Sequence, residues 1–156
     1  MGVFTVGQAL QMAMQIEKQG EVYYRASAAR AADSQVQDVF RELAHQEQLH
    51  HVAFQTMRDR LGGAADAPAL ADDEYGNYLQ ATLENHLFIG ADVALAVAKK
   101  AEDAELALQG AIGFEKDTLL FYYDLRDIMD EDDRGVLTNI IGEEKSHVQK
   151  LASMLG

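Results

Sequence analysis

Hydrophobic residues recur at intervals of three and four positions along four long segments of the chain, a spacing that predicts four amphipathic helices. The apolar stripes run over residues 3–27, 36–61, 104–129 and 137–154. The chain is rich in alanine, leucine, glutamine and glutamate and has a single proline, as is typical of helical proteins. The pattern therefore predicts an all-α fold in which the 156 residues form one domain.

Capping residues predict where the first two helices begin. Thr5 and Gln8 fit a capping box, so the first helix is expected to begin at Thr5 and to continue to about Ala31. Ser34 and Gln37 fit a second capping box and predict the start of the second helix. Because the turn between them is short, the second helix is expected to return antiparallel to the first.

Turn-forming residues divide the rest of the chain. Gly62 and Gly63 are expected to end the second helix, and shorter helices are predicted over residues 72–88 and 92–100. The third long helix is expected to stop in the acidic segment 130–135. The fourth is therefore predicted to begin at about Arg134.

The two halves of the chain resemble each other. The first and third helices align at a shift of 98 positions, and the second and fourth align at a shift of 97. The chain is therefore predicted to consist of two related helical hairpins, joined by a long crossover with short helices over residues 62–103. Two such hairpins form a four-helix bundle with pseudo-two-fold symmetry.

Each long helix has a glutamate in the middle of its apolar stripe, and two of the helices add a histidine three residues later. Residues three apart lie on nearly the same helical face, about 4.5 Å apart along the axis, so their side chains can converge on one point. A single Glu-x-x-His match favours a surface hydrogen bond, but two copies in matched positions favour a metal site. The candidate metal ligands are Glu17, Glu47, His50, Glu115, Glu144 and His147.

Four carboxylates buried close together need compensating positive charge, because each loses its hydration and repels the others. Lysine and arginine occur between the stripe positions, but none of the positions that form the four apolar stripes is a lysine or an arginine. Two divalent cations would balance the four carboxylates and leave two neutral imidazoles as further ligands. Since the chain has no cysteine, its oxygen and nitrogen ligands suit two iron ions, with manganese or zinc as alternatives.

Composition also argues against several partners. The formal net charge of -13 and the isoelectric point near 4.6 give no reason to expect binding to nucleic acid or to an anionic membrane. The longest weakly polar run is too short to predict a membrane-spanning helix, and no signal-peptide pattern is evident. We expect a cytoplasmic protein.

The candidate ligands match a known pattern, in which two helices of a ferritin-like bundle each supply a Glu and two each supply a Glu-x-x-His. Over residues 6–57 and 104–154 the chain resembles a rubrerythrin-like member of the ferritin-like superfamily. The resemblance implies a di-iron site that reacts with hydrogen peroxide or dioxygen, usually in a dimer or larger assembly. It also implies that Glu47 and Glu144 are bridging ligands and that Glu17 and Glu115 are terminal ligands.

The chain departs from the family pattern in two ways. Full-length rubrerythrins add a rubredoxin domain whose four cysteines hold an electron-transfer iron, whereas this chain has no cysteine. An external electron donor is therefore expected. Rubrerythrins also have an additional Glu three residues after the third-helix ligand, and this chain has Thr118 there. The residue with which the family's ligand movement is associated is therefore absent from this chain.

Three functions stay open at the level of sequence. The leading one is an oxidoreductase with rubrerythrin-like peroxidase or ferroxidase activity in oxidative stress or iron handling. The second is a non-catalytic iron-binding or storage module, and the third is a bundle with a structural metal that serves as an interaction domain. The crossover and the apolar, methionine-rich surface favour a homodimer.

A few residues near the stripes have two interpretations. Tyr24 and Tyr122 lie two turns beyond the glutamates of the first and third helices. They could have a redox role, or they could fill the core with the hydroxyl bonded to a carboxylate, which is the commoner outcome for buried tyrosine. Glu21, Asp117 and Glu143 could orient the histidines, or they could simply occupy exposed helix positions.

Overall fold

The computed structural model describes residues 4–66, 68, 73–84 and 91–156. These residues form six α-helices and a short 3₁₀ helix at Gly62–Asp66, with no strand among them. The α-helices are α1 (Val6–Arg30), α2 (Ser34–Leu61), α3 (Asp73–Glu84), α4 (Ala91–Lys100), α5 (Ala104–Ile128) and α6 (Glu131–Met154). The all-α prediction is confirmed.

Helices α1 and α2 form one hairpin, and α5 and α6 form the other. The crossover between the hairpins contains α3 and α4, of which α4 packs along α1 and α3 contacts α5. An isolated bridge between Thr5 and Pro68 ties the start of α1 to the segment after the 3₁₀ helix. The predicted bundle of two hairpins joined by a crossover with short helices is therefore confirmed.

The first predicted helix start is confirmed and the second is wrong by one residue. The hydroxyl of Thr5 accepts a hydrogen bond from the backbone of Gln8, whose side chain accepts one in return, so this capping box is complete. At the start of α2 the cap is Asp33, whose carboxylate accepts hydrogen bonds from Gln35 N and Val36 N. Ser34 is already the first residue of that helix.

The predicted start of the fourth long helix is also wrong. Helix α6 begins at Glu131, and Asp130 caps it by accepting a hydrogen bond from the backbone N–H of Asp133. The acidic segment that was expected to form the turn is the first turn of the helix. Carboxylates are favourable at this position because they face the positive end of the helix dipole.

In the crossover, the structure gives α3 as Asp73–Glu84 and α4 as Ala91–Lys100. The prediction of a helix over 92–100 agrees with α4 apart from its first residue. The helix predicted over 72–88 begins and ends at positions outside the described residues. Val3, the first residue of the first stripe, also lies outside them.

Aromatic side chains fill the core on both sides of the carboxylates. Tyr24 stacks on Phe40, with ring centroids 5.9 Å apart, and Phe54 packs against Tyr122 at 5.1 Å. All four are fully buried or nearly so.

In the described part of the chain, no helix has both the length and the apolar character needed to cross a membrane.

Candidate metal centre

The structure brings the predicted site residues together in the interior of the bundle. Each long helix contributes at least one of them, because a mid-stripe position faces the bundle axis. No member of the set is more than 5% exposed. The set consists of Glu17 on α1, Glu47 and His50 on α2, Glu115 on α5, and Glu144 and His147 on α6.

Both imidazoles face the carboxylates through Nδ1. The Nδ1 of His50 lies 2.8 Å from Oε1 of Glu144 and 3.6 Å from Oε2 of Glu17. The Nδ1 of His147 lies 3.0 Å from Oε2 of Glu144 and 3.6 Å from Oε1 of Glu115. The two rings are nearly parallel, with centroids 5.9 Å apart. The Nδ1 atoms of both imidazoles therefore lie beside the same cluster of carboxylate oxygens.

The ligand atoms form two overlapping groups, each of which could hold a cation. Glu47 and Glu144 belong to both groups. Glu17 and His50 complete one group, while Glu115 and His147 complete the other, and the ligand atoms of each group lie within 4.8 Å of one another. Two carboxylates shared between two groups are what a dinuclear site requires of bridging ligands.

Without metal, the histidines supply the positive charge. Burial alone would lower the pKa of His50, but the charge of Glu17 and the hydrogen bond to Glu144 raise it to about 12. Burial acts likewise on His147, and its hydrogen bonds to Glu115 and Glu144 raise its pKa to about 10. Both side chains are therefore imidazolium at neutral pH.

The carboxylates divide into two protonated and two ionised groups. Burial and the charge of Glu144 raise the pKa of Glu115 to about 8 and that of Glu47 well above its usual range. Burial also opposes ionisation of Glu17 and Glu144, but hydrogen bonds, including those with the histidines, outweigh it and lower both pKa values. Two carboxylates and two imidazoliums then balance at neutral pH.

Unsatisfied oxygens show that the cluster fits a cation. Glu17 Oε2, Glu47 Oε1 and Glu115 Oε2 are buried and have no hydrogen-bond partner. A buried acceptor without a donor is costly, and a bound cation would satisfy all three. As metal ligands, carboxylates and imidazoles without thiolate suit iron or manganese.

The two tyrosines brace the cluster across the pseudo-symmetry axis. The hydroxyl of Tyr24 on α1 donates to Oε1 of Glu115 on α5 at 2.5 Å. The hydroxyl of Tyr122 on α5 donates to Oε1 of Glu17 on α1. The expected core-filling arrangement, with the hydroxyl bonded to a carboxylate, is therefore what the structure shows. A redox role for either tyrosine stays a prediction.

Among the three flanking acidic residues, one reaches a histidine in the structure. Oε2 of Glu143 lies 2.5 Å from Nε2 of His50. Glu21 instead pairs with Lys18 and Arg25 on its own helix.

Gly20 is a site residue that sequence analysis missed. A Cβ at this position would lie 3.0 Å from Cε1 of Phe114 and 3.2 Å from Cδ of Glu47. In the stripe pattern Gly20 looks like any small core residue, so its contact with Glu47 becomes evident only from helix packing. The glycine leaves room for the Glu47 carboxylate to reach the bundle axis.

We predict that Gly20→Ala weakens metal binding without improving stability as an alanine in a helix normally does. Replacing a helical glycine by alanine stabilises by about 0.5–1 kcal/mol, whereas crowding a packed core costs about 1–3 kcal/mol. The matched control is Gly142→Ala on α6, where a Cβ would meet nothing within 4 Å. Chemical denaturation and a metal titration should show a more stable control with unchanged metal affinity. Equal behaviour of both variants would remove this role from Gly20.

The four long helices form a bundle in which four carboxylates and two imidazoles meet in one buried cluster. The chain belongs to the rubrerythrin family, whose model matches residues 8–155. It is also similar to a crystal structure, at 2.30 Å resolution, of a candidate ferritin-like diiron-carboxylate protein from Thermotoga maritima. The two chains are 25% identical with a TM-score of 0.75, over 99% of this chain and 97% of the other. A search of the curated proteins found no match.

Proposed function

We propose that this protein binds two iron ions at the six-residue cluster and acts as an oxidoreductase toward hydrogen peroxide or dioxygen. The observation that supports the proposal is the overlap of two ligand groups at Glu47 and Glu144. Two Fe(II) ions bound there would supply two electrons on oxidation to Fe(III), and these electrons with two protons from solvent would reduce one hydrogen peroxide molecule to two water molecules. Manganese or zinc could occupy the same ligands.

The chain's own side chains would tune such a site in distinct ways. Tyr24 and Tyr122 fix the terminal glutamates by donating to one oxygen of each, which leaves the second oxygen free to face a cation. The surrounding aromatic core excludes water and lowers the local dielectric constant, which strengthens electrostatic interactions inside. These contacts hold the ligands in place before a cation arrives.

A surface pocket offers a route for a small oxidant. It has a volume of about 200 Å³ and is lined by residues of α2 and α6, including Gln46, Ser146 and His147. His147 is thus both a member of the cluster and part of the pocket wall. A molecule the size of peroxide could approach the cluster from this side. Electrons would come from a separate donor, since the chain has no cysteine for a redox-active thiol or an iron-sulfur centre.

The proposal predicts repeated turnover rather than a single oxidation. The chain is loaded anaerobically with Fe(II), then mixed with hydrogen peroxide or with dioxygen, while the near-ultraviolet absorption of ferric iron is followed. We expect two irons per chain, oxidation of both, and continued consumption of oxidant when a small-molecule reductant is supplied. The variant Glu21→Gln should give the same result as the wild type, because this buried glutamate pairs with Lys18 and Arg25 away from the cluster.

Other outcomes would favour the other functions. Oxidation that stops after one round per loaded iron, even with reductant present, would favour an iron-binding or storage module. Iron binding without oxidation, together with loss of folding when the metal is removed, would favour a structural metal. Either result would refute the oxidoreductase.

A further inference from the structure

The internal repeat places different residues behind the two imidazoles. At the shift of 97 positions that aligns α2 with α6, His50 corresponds to His147 and Gln46 corresponds to Glu143. Glu143 lies on the helix opposite His50, and its Oε2 is 2.5 Å from Nε2 of that imidazole. His50 therefore has a carboxylate behind it, while the corresponding position for His147 holds a neutral amide.

The surroundings of His147 differ in a second way. Its Nδ1 bonds to Glu144, while its ring lines the 200 Å³ pocket together with Gln46, Ser146 and Glu143. Within the described residues, the structure gives the Nε2 of His147 no hydrogen-bond partner. At the repeat shift of 97 positions, Ser146 corresponds to Leu49 in the other hairpin. Glu143 also lines this pocket, so the pocket borders His147 directly and borders His50 only through the Glu143 carboxylate.

A carboxylate behind an imidazole changes how well that imidazole binds a cation. The N–H at Nε2 donates to the carboxylate, which fixes the tautomer, keeps the lone pair of Nδ1 free for the cation and makes that nitrogen more basic. Loss of such a partner typically costs about 10–100-fold in metal affinity. An amide has no net charge and provides this effect more weakly.

Building on the proposed two-metal function, we propose that the two positions are unequal, and that the position at Glu17 and His50 fills first and more tightly because Glu143 supports it. The position at Glu115 and His147 is then the weaker and more exchangeable one, and it faces the pocket through which a small oxidant would arrive. Glu143 acts in this scheme as a positioning residue, since it reaches the cation only through His50.

The test uses Co(II) as the probe and metal affinity as the readout. Calorimetric titration against a competing chelator gives the two binding steps. With histidine labelled by nitrogen-15, the resonances that shift at one equivalent of Co(II) show which imidazole binds first. We expect His50 to respond at the first equivalent and His147 at the second.

Three variants separate this preference from simple repulsion between two neighbouring cations, which would produce two steps in any case. Glu143→Gln should weaken the first step by about 10–100-fold, and Gln46→Glu should tighten the second by a similar factor. The double swap Glu143→Gln/Gln46→Glu should keep two steps but make His147 the first to respond. Repulsion between the ions is the same in all of these chains, so it cannot produce the reversal.

The outcomes distinguish this inference from the function on which it rests. If wild type binds two Co(II) ions but His147 responds first, or if the swap leaves the order unchanged, the inequality is refuted and the two-metal site stands. If wild type fails to bind two ions at all, both the inequality and the proposed function are refuted.

Discussion

Glu47→Gln is expected to abolish binding of two metal ions while leaving the metal-free protein as stable as wild type. Glu144→Gln is expected to abolish the same binding and to destabilise the metal-free protein strongly. The two residues correspond to each other in the repeat and belong to both ligand groups. Either substitution replaces a carboxylate shared by both positions with a neutral amide that has only one oxygen to offer. The stability effects differ because the two carboxyl groups have opposite protonation states without metal.

The expected stability difference follows from what glutamine replaces. The raised pKa of Glu47 makes it a neutral acid at pH 7, so a neutral amide of the same shape costs little. Glu144 is ionised and contacts the Nδ1 atoms of both His50 and His147, so its loss leaves buried positive charge without its partner. Breaking a buried ion pair in this way costs about 3–5 kcal/mol.

The measurements are metal content after loading and the free energy of unfolding from denaturant titration. Glu21→Gln serves as the control and should retain two metal ions. If Glu47→Gln retained both ions, the assignment of bridging ligands would be wrong. If the two variants lost equal stability without metal, the assignment of protonation states would be wrong.

The metal-free protein is expected to lose stability as the pH rises from about 5 to about 9, the reverse of what ionised surface carboxylates with lowered pKa values would give. The folded-state pKa of Glu115 is raised from 4.5 to about 8, and that of His147 from 6.5 to about 10. A group whose pKa is raised by folding stabilises below its unfolded-state pKa, and that contribution is lost as the pH passes through the folded-state value. Below about pH 4.5 the trend reverses, because Glu17 and Glu144 have lowered pKa values.

Thermal unfolding at a series of pH values checks this expectation. Glu115→Gln is the control for general charge repulsion in this acidic chain, because it removes one of the buried titrating groups and leaves the surface unchanged. It should flatten the fall in Tm between about pH 5 and about pH 8. A wild-type profile that rises over this interval, or that Glu115→Gln does not alter, would contradict the protonation states of the buried carboxyl groups and imidazoles.

The same protonation states predict the proton stoichiometry of metal binding. At pH 7 protons reside on His50, His147, Glu47 and Glu115, so loading two divalent cations should release about four protons per chain. Calorimetric titration in two buffers of different ionisation enthalpy measures this number. Release of no protons would show that the ions bind elsewhere.

The fold and the set of clustered residues were predictable because two periodic patterns agree. Helical spacing placed each mid-stripe glutamate on the bundle axis, and the repeat showed that the two halves would face each other. Glu47 and His50 could be assigned to one point from their spacing alone, because a single helix fixes both. That these residues bind metal, and which metal, stays a prediction together with the homodimer and the electron donor.

The features that the sequence did not predict depend on contacts between helices or on competition between neighbours. Asp33 and Ser34 are both good caps, and their adjacent positions gave no basis for choosing between them. Which of the three flanking acids reaches a histidine depends on the rotation of α6 against α2, so Glu143 could not be singled out from its own helix. Gly20 acquires its role from the side chain of Glu47 on the neighbouring helix.

The measurement that tests the two-metal site most directly is anomalous diffraction at the iron absorption edge from crystals loaded anaerobically with Fe(II). We expect two anomalous peaks per chain, about 3.5–4 Å apart. One peak should lie next to Glu17 and His50, the other next to Glu115 and His147, with Glu47 and Glu144 between them. A single peak, or peaks outside this cluster, would contradict the two-metal site.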